Sequence, residues 1–180
     1  MSGDELIQMT ATEVAARLAA GDVSPVELVD AAAARIEAVN PAVNALPILC
    51  LDEGWDRAVD MTDHPPPVSE RGPLWGIPIA VKDYNDLAGV RTTYGSPIFA
   101  DNVARRSDAT VARLEASGAI PIGKSNVPEW AGAHTFNPVC GHTRNPWTGM
   151  RSAGGSSGGS GVALATGMVW LATGNDLGGS

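Results

Sequence analysis

Residues 76–124 decide the fold. They begin with Gly76-Ile-Pro-Ile-Ala-Val-Lys82 and end with Ala119-Ile-Pro-Ile-Gly-Lys124, two short apolar runs that each stop at a lysine. Between them, residues 107–117 have a helical pattern, and Gly118 supplies the left-handed residue on which helices often end. A strand, a helix and a second strand at this spacing predict a β-α-β crossover. We therefore expect an α/β fold with a mixed, largely parallel β-sheet covered by helices.

The residues before this core predict two helices whose role is packing. Each pattern begins with a capping box, Thr10-x-x-Glu13 and Ser24-Pro-x-Glu27, in which two side chains satisfy free amides at the helix start. The first pattern ends near Gly21 and the second near Asn40-Pro41. Weaker patterns predict a strand at 44–51, a helix at 52–63, a proline-rich loop at 64–72 and a long ordered loop at 126–148. A loop of that length often lines a functional site.

The composition limits the classes of function. An apolar content of 44% with 18% charged residues is typical of a globular protein. The net charge of −8 argues against a nucleic-acid partner, because phosphate binding needs lysine and arginine. The two cysteines, Cys50 and Cys140, form no disulfide framework, and no Cys/His cluster has zinc spacing. The acidic start is unlike a signal peptide, and the longest apolar run, 161–173, is too short to span a bilayer. We therefore expect a cytoplasmic protein without membrane contact.

Gly154-Gly-Ser-Ser-Gly-Gly-Ser160 is the main candidate for a functional loop. A Gly/Ser run can be a flexible linker, but this one leads directly into an apolar, helix-like segment. It lacks the lysine of a phosphate-binding loop and the third glycine of a dinucleotide-binding loop. Its G-x-S-x-G match to a hydrolase nucleophile elbow lacks the preceding strand, and His64, His134 and His142 all lie upstream. The run therefore indicates a serine site whose base is not histidine.

A lysine is the remaining candidate for that base. A serine hydroxyl is a weak nucleophile that needs a base, and burial lowers the pKa of a lysine so that its neutral form can serve. The only lysines, Lys82 and Lys124, both follow apolar runs, so position alone does not separate them. Taken alone, Lys82 is better explained as a lysine that packs its stem while its ammonium reaches solvent or pairs with Asp83. The last turn, Leu177-Gly-Gly-Ser180, could point backbone amides at a developing oxyanion, although Gly-Gly turns are also common elsewhere.

Taken together, these segments resemble the amidase signature family of serine hydrolases. The matching segments, in the family's order, are Gly76-Ile-Pro-Ile-Ala-Val-Lys-Asp83, Arg91-Thr-Thr-Tyr-Gly-Ser96, Gly118-Ala-Ile-Pro-Ile-Gly-Lys-Ser-Asn126, Gly141-x-x-x-Asn-Pro-Trp147, Gly154-Gly-Ser-Ser-Gly-Gly-Ser160 and Gly174-x-Asp-x-Gly-Gly-Ser180. Each segment is a weak signal alone, whereas the ordered set is highly specific. The resemblance implies a Ser-Ser-Lys triad, with Lys82 as the base, Ser156 as the bridging serine after a cis peptide bond, and Ser180 as the nucleophile.

The resemblance also implies the reaction, which is hydrolysis of an amide bond through an acyl-enzyme. Protons pass from Ser180 through Ser156 to neutral Lys82, and the backbone amides of Leu177, Gly178, Gly179 and Ser180 bind the oxyanion. The expected partner is a small-molecule amide, with no metal or organic cofactor and with a homo-oligomer left open. Asn175 departs from the family pattern, because many members carry a small hydroxyl residue there.

Length is the second departure, since members of the family run well beyond twice this chain. The resemblance predicts that residues 1–180 are the N-terminal portion of a single amidase signature domain that stops at its predicted nucleophile. A terminal carboxylate on Ser180 would oppose the oxyanion. We therefore expect this 180-residue piece alone to have low stability and no useful amidase activity.

Two other functions stay open at this point. One is the glutaminase subunit of a tRNA-dependent amidotransferase, and the other is a non-catalytic remnant that binds a partner or a small amide. The aromatic residues Trp130, Phe136 and Trp147, together with His134, suggest an apolar acyl group, but core packing explains them equally well.

Overall fold

The structure is a computed structural model and describes residues 2–180. The α-helices within this range are α1 (Gly3–Leu6), α2 (Ala11–Ala20), α3 (Pro25–Val43), α4 (Leu51–Asp63), α5 (Ala109–Ala116) and α6 (Gly158–Ala165). The strands are β1 (Ile48–Leu49), β2 (Pro78–Lys82), β3 (Ile120–Ser125), β4 (Phe136–Asn137), β5 (Gly141–His142) and β6 (Leu171–Ala172).

The main sheet has the strand order β1-β3-β2-β6. Strand β2 is parallel to β3, with Pro78 opposite Ile120 and Lys82 opposite Ser125, and it is parallel to β6 on its other side. Strand β1 is antiparallel to β3, and β4 and β5 form a separate two-stranded hairpin. The crossover from β2 through α5 to β3 and the mixed, largely parallel sheet confirm the predicted fold class.

Helices cover both faces of this sheet, and every residue of β2 and β3 is therefore buried. Side chains alternate along a strand, so Ile79 and Val81 of β2 point to one face and Ala80 to the other. The first pair packs in an apolar cluster with residues of α1, α2 and α5, and Ala80 packs in a second cluster with residues of α3, α4 and α6. The two buried strands end in polar residues, Lys82 of β2 and Ser125 of β3, which therefore lie buried at the carboxyl edge of the sheet.

Both predicted capping boxes are present at the starts of α2 and α3. Helix α2 ends at Gly21, as the sequence indicates, but α3 continues past Pro41 and ends at Val43. The predicted end near Asn40-Pro41 is therefore wrong by one turn or less. A proline removes one helical hydrogen bond, and the chain turns only at Asn44, which is left-handed with φ of 52° and donates from its backbone N–H to the Asn40 carbonyl.

Two other elements are shorter than their sequence patterns predict. The strand predicted at 44–51 is reduced to β1, because Asn44 caps α3 and α4 begins at Leu51. The helix predicted at 107–117 is observed as α5, and Gly118 after it is left-handed with φ of +92°. The loop at 126–148 contains the β4–β5 hairpin. Across residues 2–180, no helix combines the length and apolar character needed to cross a bilayer.

Candidate active site

The site forms where β2, β3 and β6 end at the same edge of the sheet. Carboxyl ends of parallel strands meet at one edge, and ligands of α/β proteins bind there. Lys82 is the last residue of β2, and its backbone N–H donates to the Thr173 hydroxyl (2.7 Å), immediately after β6. The segment that follows, 174–180, therefore passes beside the Lys82 side chain.

The Gly/Ser run enters α6, and its glycines allow that helix to approach the sheet. The Gly159 N–H donates to the Asn126 carbonyl (3.2 Å), and a Cβ on Gly159 would clash with the backbone of Asn126. Ser160 donates to the Thr173 carbonyl (2.8 Å) and lies 2.6 Å from the Ser125 hydroxyl. These contacts hold the start of α6, with the serines before it, against the ends of β3 and β6.

Lys82, Ser156 and Ser180 lie within hydrogen-bond distance in a chain. Lys82 Nζ is 2.9 Å from Ser156 Oγ, and Ser156 Oγ is 3.1 Å from Ser180 Oγ. The peptide bond between Gly155 and Ser156 is cis. The structure thus brings together the three predicted residues, although they lie on β2, before α6 and after β6.

Burial changes the protonation of Lys82. Its side chain is fully buried, and this desolvation lowers its pKa from 10.5 to about 8, while the charge of Asp176 acts in the opposite direction. Burial disfavours the charged form of an amine. Near neutral pH, an appreciable fraction of Lys82 is therefore neutral and able to accept a proton.

Lys124 is equally buried but lies in a different environment. Its Nζ is 3.0 Å from Asp83 Oδ1 and donates to the Thr92 hydroxyl (2.6 Å) and to the Asn85 carbonyl (2.7 Å). Burial lowers its pKa, and Asp83 opposes that shift. Lys124 therefore holds a buried ion pair behind the site, which is the role that the sequence left open for Lys82 and Asp83.

Two further residues contact Lys82, and the sequence did not single out either of them as its partner. Ser157 Oγ lies 2.7 Å from Lys82 Nζ and 2.6 Å from Ser180 Oγ, both shorter than the matching distances of Ser156. Asn175 Oδ1 accepts from Lys82 Nζ at 2.6 Å. The serine pair in the Gly/Ser run was the available signal for Ser157, whereas only the departure from the family pattern marked Asn175.

The closing turn binds a negatively charged oxygen within the chain itself. The backbone amides of Gly179 and Ser180 both donate to Asp176 Oδ1, at 2.5 and 2.8 Å. These bonds lower the pKa of the Asp176 carboxyl. The turn therefore has the convergent amides of an anion site. Its present acceptor is Asp176, which the sequence did not predict.

Cavities open on two sides of Ser180. The larger, about 580 Å³, is lined by Ser157, Leu164, Asn175 and Ser180 among others, and the smaller, about 200 Å³, by Ser156, Leu177, Gly178 and Ala131 among others. A third cavity of about 300 Å³ also includes Ala131 and is otherwise aromatic, with Tyr84, Tyr94 and Trp130. All three aromatic residues that the sequence suggested for an acyl group are exposed, and of these only Trp130 lines one of the three cavities.

The histidines lie outside this cluster. His134 Nδ1 is 3.0 Å from the Ser152 hydroxyl, and His64 pairs with Asp60 on the surface. Within residues 2–180, no group of three His, Cys, Asp or Glu side chains is arranged to hold a metal ion. Both cysteines are free thiols.

Comparison with known proteins gives the family. A sequence profile of the family named Amidase matches residues 27–180. The chain is 38% identical over 182 residues to an acylamidase of Rhodococcus erythropolis, covering all of this chain and 38% of that protein. It is 39% identical over 176 residues to a glutamyl-tRNA(Gln) amidotransferase subunit of Maridesulfovibrio salexigens, covering 97% of this chain and 36% of that protein. The chain therefore spans little more than a third of the length of these relatives.

Solved structures show the same likeness in three dimensions. The chain superposes on a fatty acid amide hydrolase with a TM-score of 0.89 and 29% identity, over 97% of this chain and 31% of that one. It superposes on the peptide amidase of Stenotrophomonas maltophilia with a TM-score of 0.84 and 30% identity, over 91% of this chain and 35% of that one. With the profile match, the shared sheet and the ordered sequence motifs, the chain belongs to the amidase (amidase signature) family.

Proposed function

We propose that this protein hydrolyses amide bonds through a Ser-Ser-Lys triad of Lys82, Ser156 and Ser180. The observation that carries the proposal is the continuous path from Lys82 Nζ to Ser156 Oγ (2.9 Å) and on to Ser180 Oγ (3.1 Å). The lowered pKa of Lys82, about 8, gives the path a base that is partly neutral near physiological pH. Family membership supports the same chemistry.

The proposed reaction begins with proton transfer. Neutral Lys82 takes a proton from Ser156, Ser156 takes one from Ser180, and the Ser180 oxygen attacks the amide carbonyl carbon. The carbonyl oxygen becomes an oxyanion. When the C–N bond breaks, the protons return through Ser156 to the leaving nitrogen, and water then hydrolyses the ester on Ser180.

The proposed oxyanion site is the turn of Leu177, Gly178, Gly179 and Ser180. Backbone amides aimed at a developing negative charge contribute strongly to such reactions. Two of these amides, those of Gly179 and Ser180, donate hydrogen bonds to the Asp176 carboxylate, which supports an anion-binding role for the turn. For Gly179 and Ser180 to bind the oxyanion, the Asp176 carboxylate has to move aside.

Ser157 provides an alternative relay, since it also lies between Lys82 and Ser180. We assign the bridging role to Ser156 because the family resemblance matches the bridging serine to the first of the serine pair. The two variants Ser156→Ala and Ser157→Ala distinguish the routes. The larger loss of kcat belongs to the serine that carries the proton.

The test is hydrolysis of a simple aryl amide by the full encoded protein, followed as release of the arylamine. Lys82→Ala and Ser180→Ala should each reduce kcat/KM by at least about 10³-fold. The control is Ser69→Ala, which removes an exposed serine outside the segments that form the site and should keep wild-type activity. A fluorophosphonate should label the protein and fail to label Ser180→Ala. Labelling that survives Ser180→Ala, or turnover that survives Lys82→Ala, refutes the triad.

A second candidate is the glutaminase subunit of an amidotransferase, which the amidotransferase relatives at 37–43% identity favour. It would use the same residues but act on glutamine within a multi-subunit complex. Release of ammonia from glutamine, together with co-purification of partner subunits, would support this role. Hydrolysis of aryl amides by the protein alone would favour the amidase. A protein that neither labels nor turns over either substrate would be the non-catalytic remnant. The cytoplasmic location and the homo-oligomer stay predictions.

A further inference from the structure

The shortest contact of the Lys82 ammonium is with Asn175 and not with a serine. Lys82 Nζ lies 2.6 Å from Asn175 Oδ1 and 3.3 Å from the Asn175 backbone oxygen. Its other neighbours are the hydroxyls of Ser157, Ser156 and Ser180, at 2.7, 2.9 and 3.4 Å. Asn175 thus offers two oxygens to one nitrogen.

These five oxygens differ in what they can do with a proton. A hydroxyl can donate or accept, whereas an amide carbonyl oxygen only accepts. A neutral lysine amine has two N–H donors and one lone pair, and it acts as a base only when the lone pair faces a hydroxyl hydrogen. The two acceptor oxygens of Asn175 match the two N–H groups.

We propose that Asn175 is a positioning residue that holds the two N–H groups of neutral Lys82, so that the lone pair faces the serine hydroxyls. This inference rests on the proposed amidase function, since it assigns Lys82 the role of base. The orientation of the Asn175 amide follows from chemistry. The ammonium form of Lys82 has only donors, so in that form the oxygen of the amide faces it, and the NH₂ group would be repelled.

The same contact affects the charge of Lys82. An acceptor oxygen at 2.6 Å stabilises the ammonium form, so its removal should lower the pKa of Lys82. A carboxylate at the same place adds an opposite charge and should raise that pKa. The two substitutions Asn175→Leu and Asn175→Asp therefore shift the pKa in opposite directions, which a merely structural residue would not do.

The other charged groups around Lys82 do not obscure these shifts. From the closing turn, Asp176 acts on Lys82, but its pKa is lowered, so it stays ionised while the lysine titrates. The Tyr84 ring lies 5.0 Å from Nζ, and burial raises the pKa of its hydroxyl. Asp83, next in the chain, is 3.0 Å from Lys124. From the side of α6, only the neutral hydroxyls of Ser156 and Ser157 face the lysine.

The first experiment measures the pKa of Lys82 directly, without any activity. In the full encoded protein labelled with ¹³Cε-lysine, the NMR signal that disappears in Lys82→Ala is assigned to Lys82, and the signal that disappears in Lys124→Arg is assigned to Lys124. Asn175→Leu should lower this pKa by about half a unit to one unit, and Asn175→Asp should raise it by about 1–2 units. The Lys124 signal should not shift, which also shows that the exposed Asn175 can be replaced without loss of the fold.

The second experiment separates orientation from charge. In the full encoded protein, kcat is measured at a pH where Lys82 is fully neutral in each variant. Asn175→Leu should then lower kcat about 10-fold with little change in KM, because its lone pair is no longer held towards the serines. Asn175→Thr, which restores an acceptor oxygen, should recover part of that loss.

The outcomes distinguish this inference from the proposed function. A Lys82 pKa that does not shift in either Asn175 variant overturns the inference, whatever the activity. A wild-type kcat in Asn175→Leu at high pH also overturns it. If the wild-type protein hydrolyses no amide, the proposed function fails, and opposite pKa shifts would still show that Asn175 sets the protonation of Lys82.

Discussion

Replacing Lys82 with methionine should change how the stability of the chain depends on pH. Methionine has a similar length and no charge, so the variant keeps most of the packing but has no group to protonate at this position. In the folded chain, Lys82 is fully buried and its pKa is about 8, against 10.5 in the unfolded chain. The lysine therefore destabilises the fold whenever both states hold it charged.

The magnitude follows from the two pKa values. Below pH 8 both states bind the proton, and the full penalty, about 3 kcal/mol, is present. Between pH 8 and 10.5 the unfolded state binds more protons than the folded state, so stability rises with pH. From pH 7 to pH 9.5, the free energy of unfolding of the wild type should rise by about 2 kcal/mol relative to Lys82→Met.

Urea unfolding of the wild type and of Lys82→Met at both pH values measures this difference of differences. Other titrating groups cancel because both proteins contain them. Arg17→Met is the matched control, since Arg17 is exposed, pairs with Asp22 and keeps its charge over this range. If the difference in free energy of unfolding between wild type and Lys82→Met is the same at pH 7 and pH 9.5, a lowered pKa for Lys82 is refuted. If the free energy of unfolding of the wild type instead falls relative to Lys82→Met between pH 7 and pH 9.5, the fold stabilises the ammonium form.

Three further results are expected. In the full protein, kcat/KM for an amide should rise with pH through a midpoint near 8 and level off about one unit higher as Lys82 becomes neutral, and a flat profile from pH 6 to 9 would contradict this. Asp83→Ala should cost about 3–5 kcal/mol in urea unfolding, because it leaves Lys124 buried without its carboxylate, and a cost below about 1 kcal/mol would be inconsistent with the ion pair. Gly159→Ala should cost about 3 kcal/mol or more, since its Cβ would meet the backbone of Asn126. Gly161→Ala in the same helix has open space and should stabilise the chain by up to about 1 kcal/mol, so equal thermal midpoints for these two glycine variants would show that the close approach is absent.

Elements defined by local chemistry could be predicted from the sequence. The capping boxes at Thr10 and Ser24, the left-handed stops at Gly21 and Gly118 and the buried strands β2 and β3 all depend on neighbouring residues. The end of α3 could not be predicted, because Pro41 is a helix breaker by local preference. Here it lies in the last turn, and the side chain of Asn40 accepts from the amides of Ala45 and Leu46 beyond the helix end.

The α/β class came from the strand–helix–strand pattern, and the family and the candidate residues Lys82, Ser156 and Ser180 came from the order of motifs along the chain. The choice between Lys82 and Lys124 did not follow from the residues, because both lysines end an apolar strand. Tertiary structure separates them. Lys82 reaches serines from two other segments, and Lys124 reaches Asp83 and Thr92.

The sequence by itself determined which chemical groups are present and which strands are buried, since both depend on residue type and local periodicity. Only the tertiary structure decided which groups meet. The contacts of Lys82 with Ser157 and Asn175, and of Asp176 with the amides of the closing turn, depend on how α6 and the segment after β6 pack at the sheet edge. That packing joins residues distant in the chain at hydrogen-bond range, and burial there also sets the pKa of Lys82.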